Sequence, residues 1–273
     1  MPQVKQDDFS KLEYEGWERV ANQYEQTWAN LTQQFIGPLL QTVGIRNGMK
    51  VLDVACGPGY VSGEIKKKNA TPVGIDFSPK MISLARRSYQ GIQFMEGNAQ
   101  ELEFDDSTYD AVVMNFGMLH LSRPLLAIAE AHRVLKAGGK FGFTVWSPGP
   151  VSEIMDKAKE KYADRNVPMP DAPAYDMFAE EKTCLHVLTQ AGFESSSIKF
   201  MQRIVRWIVP TAGFLFDAEL NAGVRNAAFL RQQSVDVLQK IKADVETNMQ
   251  QFKTVNGFEL PFCGCVISAR VIK

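Results

Sequence analysis

The chain has 273 residues, with 30 Lys and Arg against 31 Asp and Glu, for a formal net charge of −1. Apolar residues make up 45% and charged residues 22%, which argues against a disordered chain and leaves no basic excess for holding a polyanion by bulk charge. One large α/β domain or two small ones fit this length, and either buries enough core to need no disulfide or metal.

No stretch approaches the ~18 apolar residues that span a bilayer. The first ten residues, MPQVKQDDFS, hold no apolar h-region and no cleavage-like site. No membrane span and no signal peptide are expected, and the default compartment is cytoplasmic. Cys56, Cys184, Cys263 and Cys265 match neither a disulfide framework nor a four-ligand zinc site, so no metal is expected. Cys263 and Cys265 alternate along an expected strand and face the same way. They read as two small strand residues in a reducing compartment.

Residues 1–45 read as N-terminal helices, with Tyr14, Trp17, Tyr24 and Trp28 spaced to put several aromatics on one face. Core packing is one role for them, and a helix covering a ligand is the other. From residue 50 the rhythm changes. Val51 to Ala55 is a short β-branched run that ends in Cys56-Gly57-Pro58-Gly59, and a helix follows from Tyr60 to about Lys68. Thr71 to Ile75 is the next strand, ending at Asp76. Ser78 and Pro79 open a helix as N-cap and first residue, with Met81, Ile82, Leu84 and Ala85 as its apolar face. Strands follow at Ile92–Met95 and Tyr109–Met114. Ser122 with Pro124 opens a helix to about Leu135, which Gly138 and Gly139 stop. Lys140–Trp146 is the fifth strand. Alternating strands and helices over about 100 residues predict a parallel sheet covered on both faces.

The second half is less regular. Helices are expected at Val151–Asp164 and Ala179–Ala191, with a loop holding Pro168, Pro170 and Pro173 between them. Ile198–Val209 reads as a sixth strand and Phe258–Val271 as a seventh. Thr211–Phe252 reads as mostly helical. The fold class is therefore α/β, a doubly wound, seven-stranded, mostly parallel sheet. It is expected as a single domain over 1–273, with a cofactor-binding core at 46–150 and a helical cap insertion at 211–255.

The strongest local feature is the strand, the Gly57-x-Gly59 loop and the helix, with Asp76 19 positions after Gly57. Glycine permits the turn and lets backbone approach a ligand. An acidic residue at the end of the second strand can accept from a ribose diol. A dinucleotide fingerprint needs a third glycine where Ser62 stands, with Gly63 one step late. Asp53 also lies inside the expected site, where a carboxylate would repel a pyrophosphate and attract an ammonium or sulfonium. The electrostatics favour S-adenosylmethionine over a nicotinamide dinucleotide.

The same residues resemble a family. Val51 to Gly59 looks like the first motif of class I S-adenosylmethionine-dependent methyltransferases, and Gly74-Ile75-Asp76-Phe77-Ser78-Pro79-Lys80-Met81 like their second. Gly97 to Leu102 resembles the third, Tyr109 to Val113 with Asn115 to His120 the fourth, and Arg133 to Gly139 the turn before strand five. The resemblance covers about a third of the chain and is similar to the small-molecule branch, with its quinone and sterol methyltransferases. It implies a Rossmann-like sheet and roles by position. Asp53 orients the methionine ammonium, and backbone at Ala55, Gly57 and Gly59 lines the methionine tail. Asp76 holds the ribose hydroxyls. Phe77 and Met81 pack on the adenine. Asn98 meets the adenine amino group, and Ala99 offers its N–H to the ring. The Asn115 carbonyl faces the ammonium, and Cys56, Gln100 and Phe116 complete the cofactor set. Asn98 departs from the family's usual Asp, so that contact loses its charge assistance.

Methyl transfer from a sulfonium is an in-line displacement, and the protein's work is alignment and exclusion of water. A base is needed only if the nucleophile must lose a proton. His120 follows strand four at the carboxyl edge, where open α/β sheets bind ligands, and is the catalytic candidate, with packing in the loop as its alternative role. His132 and His186 lie within helices and read as structural. Phe214, Leu215, Phe216, Leu220, Phe229 and Leu230, with Trp207, Met201 and Met177, suit either the core of the cap or a wall for a small apolar or aromatic acceptor. Lys66-Lys67-Lys68 and Arg86-Arg87 read as solvated helix faces, and no nucleic-acid partner is expected. A nicotinamide-dependent oxidoreductase and a non-catalytic S-adenosylmethionine-binding protein are the alternatives.

Overall fold

The computed structural model describes residues 7–272. Residues 1–6, part of the segment read above for a leader, lie outside them. In chain order the elements are α1 (Asp8–Val20), α2 (Ala29–Thr32), α3 (Ile36–Val43), β1 (Lys50–Val54), α4 (Tyr60–Lys67), β2 (Thr71–Asp76), α5 (Pro79–Ser88), β3 (Gln93–Glu96), β4 (Tyr109–Asn115), α6 (Pro124–Val134), β5 (Leu135–Trp146), α7 (Pro150–Tyr162), α8 (Glu181–Gln190), β6 (Lys199–Val209), α9 (Phe214–Ala222), α10 (Arg225–Leu230), α11 (Val235–Met249), β7 (Lys253–Thr254) and β8 (Gly257–Arg270). The strand order is β3-β2-β1-β4-β5-β8-β6, with the short β7 on β8. β1 pairs in parallel with β2 and β4, β2 with β3, and β4 with β5. β8 runs antiparallel to β5. Five parallel strands wound outward in both directions from β1 and β4 are the doubly wound sheet the alternation predicts, with its switch point between those two strands.

The chain forms two compact units, one of residues 32–147, 173–203 and 264–273, the other of the segments up to Leu31, 148–172 and 204–263. The first holds β1 to β5. Its core is apolar on both sheet faces, with Leu52, Val112, Phe141 and Phe143 fully buried, because parallel strands are covered by helices on each side. α3 is pressed onto this sheet, and a Cβ at Gly142 would lie 2.2 Å from Val43 Cγ2. Met177 also packs against this core.

The other unit is mainly helical, and the segment 211–255 lies within it. α7 packs on α11, and α9 on α10. α1 meets the start of α10 so closely that a Cβ at Gly16 would lie 2.3 Å from Val224 Cγ1. Leu215, Phe216 and Leu230 are buried. Trp207 gathers three rings, stacking on Trp28 at 5.2 Å and meeting Phe214 and Phe262 edge-on at 5.4 and 5.5 Å. Met201 is exposed on β6, so it adds nothing to that group.

Four local expectations change. The N-terminal helix breaks into turns between α1 and α2, and Trp17 packs edge-on against Tyr24 at 5.7 Å instead of sharing one long face with it. Arg123, rather than Ser122, is the N-cap of α6, with no side-chain cap; the Arg123 N–H is accepted by Gln100 Oε1 at 2.6 Å. Gly138 and Gly139 do not end that helix, because β5 has already begun at Leu135. They lie in a bulge where the β4–β5 register jumps from Tyr109↔Leu135 to Ala111↔Lys140, and Gly138 takes a φ of 72° there. An eighth strand, β7, pairs with the start of β8 in the stretch between Phe252 and Phe258 that the sequence leaves unassigned.

Candidate functional site

β1 and β4 both end at the switch point, and each ends in a turn with positive φ. Ala55, Gly57 and Gly59 have φ of 53°, 51° and 88°, and Phe116 after β4 has 56°. A Cβ at Gly117 would lie 2.7 Å from Ala55 Cβ, so the two turns touch. The glycines after β1 do different work. A Cβ at Gly57 meets nothing within 4 Å, whereas one at Gly59 would lie 2.9 Å from Phe94 Cζ. Gly57 is needed for its backbone angle and leaves its outer side open to a ligand. Gly59 is needed for its backbone angle and for packing as well.

Asp76 closes this loop from the end of β2. Its Oδ2 accepts the Gly57 N–H at 2.9 Å and its Oδ1 the Ser78 N–H at 2.9 Å. The carboxylate thereby holds the ends of β1 and β2 together at the turn. Ser78 caps α5 by accepting the Met81 N–H at 3.1 Å. Met81 is buried and Phe77 half-buried, both next to this turn.

Asp53 is fully buried on β1. Its Oδ2 accepts the Ser62 hydroxyl at 2.6 Å. Its Oδ1 has no hydrogen-bond partner among the described residues. Burial pushes the carboxyl up from 3.8 to about 7, against the lowering effect of the Ser62 hydroxyl and backbone N–H; Asp76 pushes it further up. A buried carboxylate with an unmet oxygen is costly by itself and is relieved by a cation. The Cys56 thiol is raised well above its ordinary value by burial and by Asp53 and Asp76, so Cys56 stays protonated and offers backbone only.

The turns after β3 and β4 complete the arrangement. Asn98 Oδ1 accepts the Gln100 N–H at 2.9 Å. Gln100 in turn receives Arg123, so its side chain serves the entry to α6 instead of an open face. Ala99 is buried between them. Asn115 Oδ1 accepts the Thr144 hydroxyl at 2.8 Å, and Asn115 Nδ2 donates to the Thr32 carbonyl at 3.2 Å. Thr144 Oγ1 also accepts the Phe116 N–H at 2.9 Å. The Phe116 ring stacks on Trp146 at 3.9 Å and meets Phe35 edge-on at 5.0 Å, so Phe116 too presents backbone. His120 ends a short 3-10 turn after β4 and is half-buried. His132 packs edge-on against Phe193 at 5.2 Å, and His186 is exposed on α8. Among the described residues, no group of three or more His, Cys, Asp or Glu could hold a metal ion, and no helix is long and apolar enough to cross a membrane.

The structure thus brings Asp53, Ala55, Gly57, Asp76, Asn115 and Phe116 to one end of the parallel strands. Sequence reasoning missed two supporting residues. Ser62 stood out only as a missing glycine, although its place one helical turn after Gly59 turns it back toward β1. Thr144 carries no local signal, since only the β4–β5 register sets it opposite Asn115.

Residues 51–139 match the family model described as a methyltransferase domain. Over 144 residues the chain is 34% identical to the demethylmenaquinone methyltransferase of Renibacterium salmoninarum, covering 50% of this chain and 61% of that protein. The YcgJ protein of Bacillus subtilis superposes with a TM-score of 0.59 at 16% identity, covering 88% of this chain and 99% of that one. Phospholethanolamine N-methyltransferase 2 of Haemonchus contortus, solved with phosphomonomethylethanolamine and S-adenosylhomocysteine, superposes at 0.58 with 16% identity, covering all of this chain and 61% of that one.

The fold is a Rossmann-like sheet like that of these solved structures, and residues 51–139 match a methyltransferase-domain model. The chain is similar to demethylmenaquinone methyltransferases over about half its length and spans less than two thirds of theirs.

Proposed function

We propose that this chain binds S-adenosylmethionine at the carboxyl ends of β1, β2 and β4 and catalyses transfer of its methyl group to a small apolar or aromatic acceptor. The observation that carries the reading is Asp53. Its buried Oδ1, unpartnered among the described residues, suits a ligand that brings positive charge without phosphate, as S-adenosylmethionine does. A nicotinamide dinucleotide would set its pyrophosphate against that carboxylate.

Bound S-adenosylmethionine supplies a methyl group on a sulfonium, which leaves in a single in-line displacement. The residues of the chain hold and align. Asp53 and the Asn115 carbonyl receive the methionine ammonium. Backbone at Ala55, Cys56, Gly57, Gly59 and Phe116 follows the methionine tail. Asp76, held in place by the Gly57 and Ser78 N–H groups, accepts from the ribose hydroxyls. Phe77 and Met81 flank the adenine. The Ala99 N–H donates to the ring, and Asn98 accepts from the adenine amino group. Gln100 acts from behind by fixing Asn98. His120 touches the acceptor and takes its proton where the nucleophile carries one.

The acceptor class rests on the apolar and aromatic make-up of the segment after β6 and on the demethylmenaquinone in the names of the similar proteins. Incubation with S-adenosylmethionine and a panel of small aromatic acceptors tests this. Acceptor-dependent release of S-adenosylhomocysteine is expected. Cofactor binding with no release from any acceptor would reduce the protein to a binder, and stabilisation by a nicotinamide dinucleotide alone would replace the reading.

A further inference from the structure

The amino-terminal edge of the parallel strands, opposite the cofactor end, gathers cations that the chain does not neutralise. Gly37, Pro38, Gln41 and Gly44 lie along α3 and its end, and with Leu40, Ile45, Lys68 and Arg203 they line a groove of about 720 Å³. The wall is concave because its helix face is bare. A Cβ at Gly37 would meet nothing within 4 Å, and one at Gly44 would meet only Lys140 Nζ, at 3.7 Å. Lys140 therefore sits at the rim. Lys199, Arg270 and Arg46 act on it as like charges, and burial and these three cations push its ammonium below its ordinary value.

Counter-charges are few. Glu194 is taken by Arg270. Asp110 is taken by Lys136 and the Lys50 N–H, with Arg46 acting on it from farther off. Among the described residues, no carboxylate lies within ion-pair distance of Arg46, Lys68, Lys140, Lys199 or Arg203. Like charges held together cost stability unless something binds there. In a chain of net charge −1 this is a local device, since the composition has no basic excess. The groove has the size of a small-molecule site, and the two cations that line it, Lys68 and Arg203, with Lys140 at its rim, fit a multiply charged anion better than a single carboxylate.

We propose that the groove beside Gly37 and Gly44 binds a phosphate-bearing small molecule, with Lys68, Lys140 and Arg203 holding the phosphate and Arg46 and Lys199 attracting it. The phosphate comes either from a free ester or from a lipid headgroup. The concave, short groove argues against a polynucleotide, which tracks along an extended basic stripe.

The test titrates inorganic pyrophosphate into the full chain at low ionic strength, with S-adenosylhomocysteine binding measured separately on the same samples. Saturable binding that weakens with salt is expected. Lys140→Met and the exposed-site change Arg203→Gln should each weaken it about tenfold, with S-adenosylhomocysteine affinity unchanged. No pyrophosphate binding at millimolar concentration, or equal binding by wild type and Arg203→Gln, would overturn the proposal. So would tight, salt-dependent capture of a 20-nucleotide duplex that pyrophosphate does not compete. With the pyrophosphate site established, sedimentation with phosphatidylglycerol vesicles assigns the source. Capture that pyrophosphate reverses marks a headgroup, and no capture marks a free ester.

Discussion

Asp76 Oδ2 accepts the Gly57 N–H at 2.9 Å, and this bond ties the end of β2 to the turn after β1. The carboxylate that the resemblance assigns to a ribose is thus also a strut of the loop. Asp76→Asn sets an amide NH₂ against one of two backbone N–H groups, an unmet buried polar contact worth about 1–3 kcal/mol. Thermal unfolding of this variant without ligand should show a lower melting temperature than wild type. Its affinity for S-adenosylhomocysteine should fall at least about tenfold by calorimetry. An unchanged melting temperature would mean that the strut carries no load.

Asp53 sets the opposite trade. Burial raises its carboxyl from 3.8 to about 7, so the folded chain holds that proton more tightly than the unfolded one. The stabilising share of this linkage is fully present below pH 3.8 and is lost as pH rises through about 7. Asp53→Asn removes the charge and keeps the shape. Melting temperatures without ligand should therefore diverge as pH rises from 5 to 8, with the variant the more stable at pH 8. Parallel profiles would contradict the burial cost.

The same shift makes ligand binding pH-dependent. The methionine ammonium needs Asp53 ionised, so wild-type affinity for S-adenosylhomocysteine should drop as pH falls from 8 to 6. Ser62→Ala removes the 2.6 Å hydrogen bond that favours the ionised form. Its binding midpoint should move to higher pH, with affinity at pH 8.5 less affected than at pH 7. Equal loss at every pH would give Ser62 a merely structural role.

The two glycines of the loop share a left-handed backbone and differ in packing. Gly59→Ala would set a Cβ 2.9 Å from Phe94 and 3.0 Å from Tyr89, and should lower stability and binding together. Gly57→Ala meets no atom within 4 Å and costs about 1–2 kcal/mol for the left-handed backbone. It should lose binding with only that modest loss of stability. Chemical denaturation and calorimetry on the two variants make the comparison.

The parallel half of the fold was legible because its physics is local. Val51 to Val54 must be buried on both sides, Gly57 must turn, and Ser78-Pro79 must start a helix; all three stand where the sequence puts them. Long-range contacts were not legible. Gln100, not Ser122, accepts the Arg123 N–H. Thr144 reaches Asn115 and Phe116 only through strand register. The glycine pair at 138 and 139 reads as a helix stop, but lies in a bulge of β5, where Val271 O accepts the Gly138 N–H at 3.1 Å. Ser62 shows the boundary well. A glycine rule notices that it is not glycine, and only the fold shows that its hydroxyl meets Asp53.

Calorimetric titration of S-adenosylhomocysteine into the full chain at pH 8 tests the central claim most directly. The account predicts binding at one site per chain, strongly weakened by Asp53→Asn and by Asp76→Ala. No binding by the folded wild-type protein, or binding that both substitutions leave unchanged, would contradict it.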